Sequence, residues 1–172
     1  MKSFLVGFEP IIASDAKILI LGSMPSTTSI NLQQYYAYPR NAFWPIMRAL
    51  LNDNPDKSYS SRKNWLMDNN IAVWDVLQYC QRTESLDANI NFTTAKSNDF
   101  TRLYCYHPFI KQVFFNGKLA EKHYKKHILP TLDKQYAYLE YHYLPSTSPA
   151  NATLKLEQKI EAWKAIIQSM VK

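Results

Sequence analysis

The sequence predicts an α/β protein, with a mostly parallel four-stranded sheet covered by helices in a three-layer α/β/α arrangement. Three observations predict it. Short, continuous apolar runs end at turn residues, as in KILIL before Gly22 and QVFF before Asn116-Gly117. Such runs mark strands buried on both faces. Helical patterns separate these runs, and strands alternating with helices build a parallel sheet. A chain of 172 residues that is 47% hydrophobic suits one core, so residues 1–172 are expected to form a single domain.

Taken in order, the strands are expected at Lys17 to Leu21, Ile71 to Val76, Gln112 to Phe115 and roughly Tyr138 to Leu144. The last alternates more than the others, which suits a sheet edge. The first helix is expected over Ala42 to Leu51, with Asn41 as N-cap and Pro45 inside the first turn. A shorter one fits Ser60 to Met67. Asp99 to Tyr106 follows the capping pair Ser97-Asn98 and stops before Pro108. Lys118 to Ile128 and Leu154 to Val171 complete the set. In the second, Leu156, Ile160, Trp163, Ile166 and Ile167 form one apolar stripe. The polar stretch Asn52 to Ser61 reads as a surface loop.

A net charge of +6 permits a polyanionic partner. The 12 tyrosines suit cores, wet interfaces and base stacking alike. Cys80 and Cys105 form no CxxC unit, so neither a thiolate metal site nor a disulfide scaffold is expected. The opening residues lack a signal-peptide pattern, and no run approaches the roughly 20 apolar residues of a membrane span. A soluble, cytoplasmic monomer without membrane contact, metal or cofactor is expected.

In folds of this class the ligand sits beyond the carboxyl ends of the strands. That gathers Gly22 to Ser29, Asp75, Asn116-Gly117 and Pro145 to Asn151 around one cleft. Gly22-Ser23-Met24-Pro25-Ser26 allows a tight exit in which backbone N–H groups converge on an oxygen. It is not a phosphate-binding GxxxxGK[ST] loop, and GxGxxG is absent. Tyr35-Tyr36-Ala37-Tyr38-Pro39-Arg40-Asn41-Ala42-Phe43-Trp44 is poor core material. It suits gripping a flat polar ring with an aromatic platform and a placed amide.

With those residues the chain resembles the uracil-DNA glycosylase superfamily: a strand ending in Gly-x-x-Pro, then aromatic-x-x-Pro-x-Asn-x-Phe-Trp. Within it, the resemblance is to the mismatch-type branch and its hypoxanthine (deoxyinosine) DNA glycosylases. It continues through Asn70 to Ile90, Asn98-Asp99-Phe100, Phe114 to Gly117 and Leu144 to Asn151. The resemblance implies a monofunctional glycosylase of base-excision repair, acting on DNA with a deaminated base, hypoxanthine before uracil. It implies that the backbone N–H groups of Ser23 and Met24 hold a carbonyl oxygen of the base and that Tyr36 stacks on the flipped base. It further implies that Asn41 is catalytic, that Asp75 recognises the base, and that Ser146 to Asn151 pinch the DNA backbone. Asn116 joins the substrate-binding set from its place at the cleft. Arg40, Ser146, Thr147, Ser148, Pro149 and Asn151 form the expected DNA contacts.

The chain departs from the pattern in three places. Ser23 stands where mismatch-type enzymes have a catalytic Asn. Leu144 stands where uracil-specific enzymes have His. The usual wedge leucine is replaced around Ser148-Pro149-Ala150, which leaves either Pro149 as the wedge or a weak wedge.

Read without the resemblance, Asn41 is an N-cap, Tyr36 is core or rim, and Asp75 caps a turn. His123 and His127, at i and i+4, read as a solvated basic helix face, and Trp44, Trp74 and Trp163 as core. Two other functions stay open: a DNA-binding member of the fold that has lost catalysis, and an unrelated α/β hydrolase using Ser23 or Ser26. The last lacks a GxSxG elbow.

Overall fold

In this computed structural model, residues 3–52, 58–83 and 89–171 are described. Residues 53–57 of the expected surface loop and 84–88 of the Asn70–Ile90 match lie outside them.

In chain order the elements are β1 (Ser3–Val6), β2 (Ile18–Gly22), α1 (Thr27–Leu32), α2 (Phe43–Leu51) and α3 (Tyr59–Asp68). There follow β3 (Ile71–Asp75), β4 (Leu77–Arg82), β5 (Ile90–Ser97), α4 (Phe100–Tyr106) and β6 (Gln112–Asn116). Helix α5 (Lys118–His123) runs into a π-helical turn at Tyr124–Ile128, and β7 (Glu140–Leu144), α6 (Leu156–Trp163) and α7 (Ala165–Met170) complete the order.

Four strands form a wholly parallel sheet in the order β3-β2-β6-β7, flanked by helices. Every residue of β2 and β3 is buried, as their uninterrupted apolar sequences require. Strand β7 is the more exposed edge strand that its alternation predicts. The register aligns Gly22 with Asp75 and Asn116 with Leu144, so these four residues end the sheet together.

The structure departs from the sequence-based expectations at several elements. A second, antiparallel sheet, β1-β4-β5, went unread. The expected helix Leu154–Val171 is broken at Lys164, and the Lys118–Ile128 helix changes to π-helical winding at Tyr124. Helix α4 is capped by Asp99, whose side chain accepts from the Arg102 N–H at 2.9 Å, and not by Ser97-Asn98.

The main core packs β2, β3 and β6 against aromatic side chains, including Phe43 and Trp163, both fully buried. Burying one such ring is worth about 1.5–3 kcal/mol. Trp44 and Trp74 lie in the same core, as expected. A smaller core of Leu5, Met24, Leu77, Cys80 and Ile90 lies under the second sheet. No disulfide joins Cys80 to the exposed Cys105. Among the described residues no helix is long and apolar enough to cross a membrane, and no group of three or more His, Cys, Asp or Glu could hold a metal ion.

Candidate active site

A cavity of about 370 Å³ opens at the carboxyl ends of β2, β3 and β6. That volume falls in the range of small-ligand sites, about 300–1,000 Å³. A larger hollow of about 680 Å³ lies at the opposite end of the sheet, beside Gln112 and Glu140. The strand-end rule favours the first as the functional site.

Gly22 ends the central strand because nothing larger fits. A Cβ there would lie 2.5 Å from Asp75 Oδ1 and 3.1 Å from Tyr36 Oη. The carboxylate and the phenol therefore meet over the end of β2. Asp75 is buried, and its backbone carbonyl accepts from Asn98 Nδ2 at 2.8 Å, which fixes the strand end.

The first-motif loop is tied down from the second sheet. Met24 buries its side chain in the smaller core, and Arg82 donates from Nη2 to the Pro25 carbonyl. Leu77 N–H donates to Ser23 O at 3.1 Å and Val76 N–H to Gly22 O at 2.8 Å. The Met24 side chain is thereby committed elsewhere, and what it can offer the cavity is backbone. Among the described residues no acceptor takes up its N–H.

Tyr36 adopts a left-handed backbone conformation, φ 54°. A non-glycine residue so placed costs about 1–3 kcal/mol and persists only where its neighbours hold it. They do so on both sides. Tyr35 N–H donates to Tyr59 Oη at 2.9 Å, and Tyr35 O accepts from Trp44 Nε1 at 3.0 Å. Ala37 N–H donates to Ser29 Oγ at 3.1 Å, and Ser29 is bonded to Ser26, the N-cap of α1. The Tyr36 ring stacks on Phe43 with centroids 4.1 Å apart and planes at 19°. Burial, then the nearby Asp75 carboxylate, push the Tyr35 phenol well above its ordinary pKa and keep it neutral.

Asn41 also lines the cavity. Its Oδ1 accepts from the Phe43 N–H at 3.0 Å. Because a backbone N–H only donates, the facing atom must be the carbonyl oxygen. The –NH₂ end has no protein acceptor among the described residues, so the amide is a positioned donor. Ala42, not Asn41, is the formal N-cap of α2, and it makes no side-chain cap bond. Asn41 still serves the helix start through Phe43, so the capping and site readings describe opposite ends of one amide.

Asn116 lines the cavity, but both ends of its amide are occupied. Nδ2 donates to Thr147 Oγ1, and Oδ1 accepts from Thr147 N–H, each at 2.9 Å. The structure thus makes Asn116 a clamp on the second-motif loop. Thr147 is buried in that clamp, its carbonyl accepting from Ala42 N–H at 3.0 Å, so its side chain is wall material and not a surface contact. Ser146, Ser148 and Asn151 line the cavity, whereas Pro149 is exposed next to it. Arg40 is exposed outside the cavity, donating to Tyr38 Oη at 3.0 Å.

Lys159 is a site-supporting residue that carries no signal in the sequence. It is 5% exposed, and its Nζ donates to Asn151 O at 2.9 Å. Burial lowers its pKa. One turn along α6, Trp163 Nε1 donates to Pro145 O at 2.9 Å. His123 is not on a solvated face either. It is half-buried, stacks on Phe92 and bonds Ser97 Oγ at 3.1 Å, whereas His127 is exposed as expected.

The family model described as the uracil DNA glycosylase superfamily matches residues 9–167. A protein named hypoxanthine DNA glycosylase, from Methanosarcina acetivorans, is 33% identical over 163 residues, 94% of this chain and 97% of its own. One of the same name from Methanosarcina barkeri is 36% identical over 113 residues, 65% of this chain and 70% of its own. The solution NMR structure of a uracil DNA glycosylase candidate from M. acetivorans superimposes with a TM-score of 0.82 at 31% identity, covering 99% of this chain and all of that one.

Proposed function

The chain belongs to the uracil DNA glycosylase superfamily, and from that premise we propose that it excises hypoxanthine from DNA, with uracil as a poorer substrate. As a DNA glycosylase it hydrolyses the bond between a base and its deoxyribose. The names of two relatives support hypoxanthine as the base.

The observation that carries the reading is the Asn41 amide, held by its oxygen with its –NH₂ on the wall that Tyr36 and Asp75 share. Deamination turns an amino group into a carbonyl and a bare ring nitrogen into N–H. A deaminated base therefore presents a carbonyl acceptor beside an N–H donor. In adenine the same two positions carry a donor and an acceptor. Asn41 Nδ2 and the Met24 N–H suit the carbonyl, and the Asp75 carboxylate suits the ring N–H. Adenine would meet donor with donor and acceptor with acceptor. Uracil carries the same carbonyl and N–H pair on a smaller ring, so it is a substrate with less stacking.

The target base is rotated out of the duplex and stacks on the Tyr36 ring, which Phe43 backs. As the C1′–N bond breaks, its electron pair passes to the base, and water adds to C1′. The departing base gathers negative charge, and donors preorganised toward it lower the barrier. Asn41 acts through its –NH₂, as a donor to the base. The second-motif loop, with exposed Pro149, and Arg40 meet the DNA backbone.

A panel of duplexes with hypoxanthine, uracil, xanthine or adenine at one position tests this, read as abasic sites by alkaline cleavage. Hypoxanthine should be released fastest, uracil more slowly and adenine not at all. Absence of abasic sites in every duplex overturns the proposal.

A further inference from the structure

Helix α6 holds both ends of the second-motif loop through side chains one turn apart: Trp163 at Pro145 O and Lys159 at Asn151 O. Trp163 is an apolar anchor with one N–H to place. Lys159 is an ammonium taken out of water, and among the described residues no carboxylate lies within ion-pair distance of it. Its hydrogen bond to Asn151 O uses one of three donors. If the loop end only needed fixing, a neutral donor would serve without the desolvation that lowers this pKa.

We propose that Lys159 is a positioning residue that supplies a fixed positive charge beneath the loop, matched to one phosphodiester of the substrate strand. The inference rests on the DNA glycosylase reading above. It assigns the charge of that contact to a residue buried behind the loop. None of the loop's residues, 145–151, carries a charged side chain. By donating to the Asn151 carbonyl, the ammonium also polarises the Asn151–Ala152 peptide, making the N–H of Ala152, an exposed residue, a stronger donor to an anion. A phosphate arriving from outside meets a positive charge that is already in place and withdrawn from water.

The test compares Lys159→Gln, which keeps a donor for Asn151 O without the charge, with Lys159→Arg, which keeps the charge. Duplex affinity is measured against salt concentration, alongside thermal melting and single-turnover excision. Losing one phosphate contact should make the slope of log K against log salt less steep by about 0.9, roughly a tenfold weaker affinity near 0.1 M salt. Lys159→Gln should show that change, with the loss falling more on the half-saturating concentration than on the saturated rate. Lys159→Arg should recover the wild-type slope. A folded Lys159→Gln with the wild-type slope overturns the proposal, as does a Lys159→Arg that loses slope as Gln does. Wild-type protein that neither excises nor binds in a salt-dependent way would instead overturn the functional reading and, with it, this inference.

Discussion

Replacing Asn41 by Asp separates the two jobs its amide performs. Asp keeps an oxygen where Oδ1 accepts from Phe43 N–H at 3.0 Å, so the start of α2 survives. A carboxylate at the N-terminus of this nine-residue helix should even gain about 0.3–1 kcal/mol from the helix dipole. The –NH₂ is gone, and an anion stands where negative charge must develop. Losing one preorganised donor typically costs about 2.7–4 kcal/mol of barrier, about 10²–10³ in rate. Charge repulsion adds to that. Single-turnover excision from a hypoxanthine duplex should therefore fall by at least about 10² while the melting temperature holds or rises. Asn41→Ala should lose rate too, and in addition about 1 kcal/mol of stability through the lost bond to Phe43. If Asn41→Asp excises within a few-fold of wild type, the amide is a helix-start device only and the donor role is wrong.

Tyr36→Ala should weaken the flipped complex by about 1–3 kcal/mol, to a similar extent for hypoxanthine and uracil, because stacking tolerates base identity; a fluorescent base analogue in the lesion strand reports it, and wild-type flipping refutes it. Gly22→Ala should drive Asp75 or Tyr36 out of place, since the new Cβ would lie 2.5 Å from one and 3.1 Å from the other. A displacement of about 1 Å can cost about 10²-fold in rate, so a variant that excises normally would show that neither group needs its place. His123 has its pKa lowered from 6.5 to about 4, by burial first and then by His127 and Lys126. A depressed folded-state pKa means the unfolded chain takes up the proton first as pH falls. This histidine should therefore lend stability above about pH 6.5 that is lost progressively down through about pH 4. Melting curves of wild type and His123→Gln should diverge across that window, modestly because the ring is partly solvated, and superimposable curves would remove His123 as the cause.

The parallel sheet was legible because its strands are buried on both faces and so read as unbroken apolar words such as ILIL and VFF. Strands β4 and β5 were not legible for the opposite reason. LQYCQR buries Leu77, Cys80 and Arg82 but leaves Gln78, Tyr79 and Gln81 more exposed, and its register with β5 shifts, so no clean alternation survives in the sequence. Helix α1 has only six residues, with its Ser26 cap indistinguishable from loop chemistry. The cavity wall was legible from the strand ends and the family resemblance together: Ser23, Met24, Tyr36, Asn41, Asp75 and Asn116 all line it. What each side chain does there was less so. Asn116 and Thr147 look like contacts for a ligand, yet they spend their polar atoms on each other. Lys159 sits in a charged, amphipathic helix where a lysine ordinarily faces water, and only its tertiary burial sets it apart.

Because α6 holds both ends of the second-motif loop, the site depends on a part of the chain distant from most of its walls. The cavity draws on segments from Gly22 to Asn151, while the grips on its last wall come from residues 159 and 163. During synthesis the strands can assemble before those grips exist, so a nascent chain would carry a sheet without a finished site. In the mature protein the same dependence runs backwards. A transient opening of the last helices releases the loop while the central strands stay paired, since local openings cost less than global unfolding. Competence for DNA would then be lost before the fold is, and hydrogen exchange at residues 145–151 would follow that of α6 rather than that of β6.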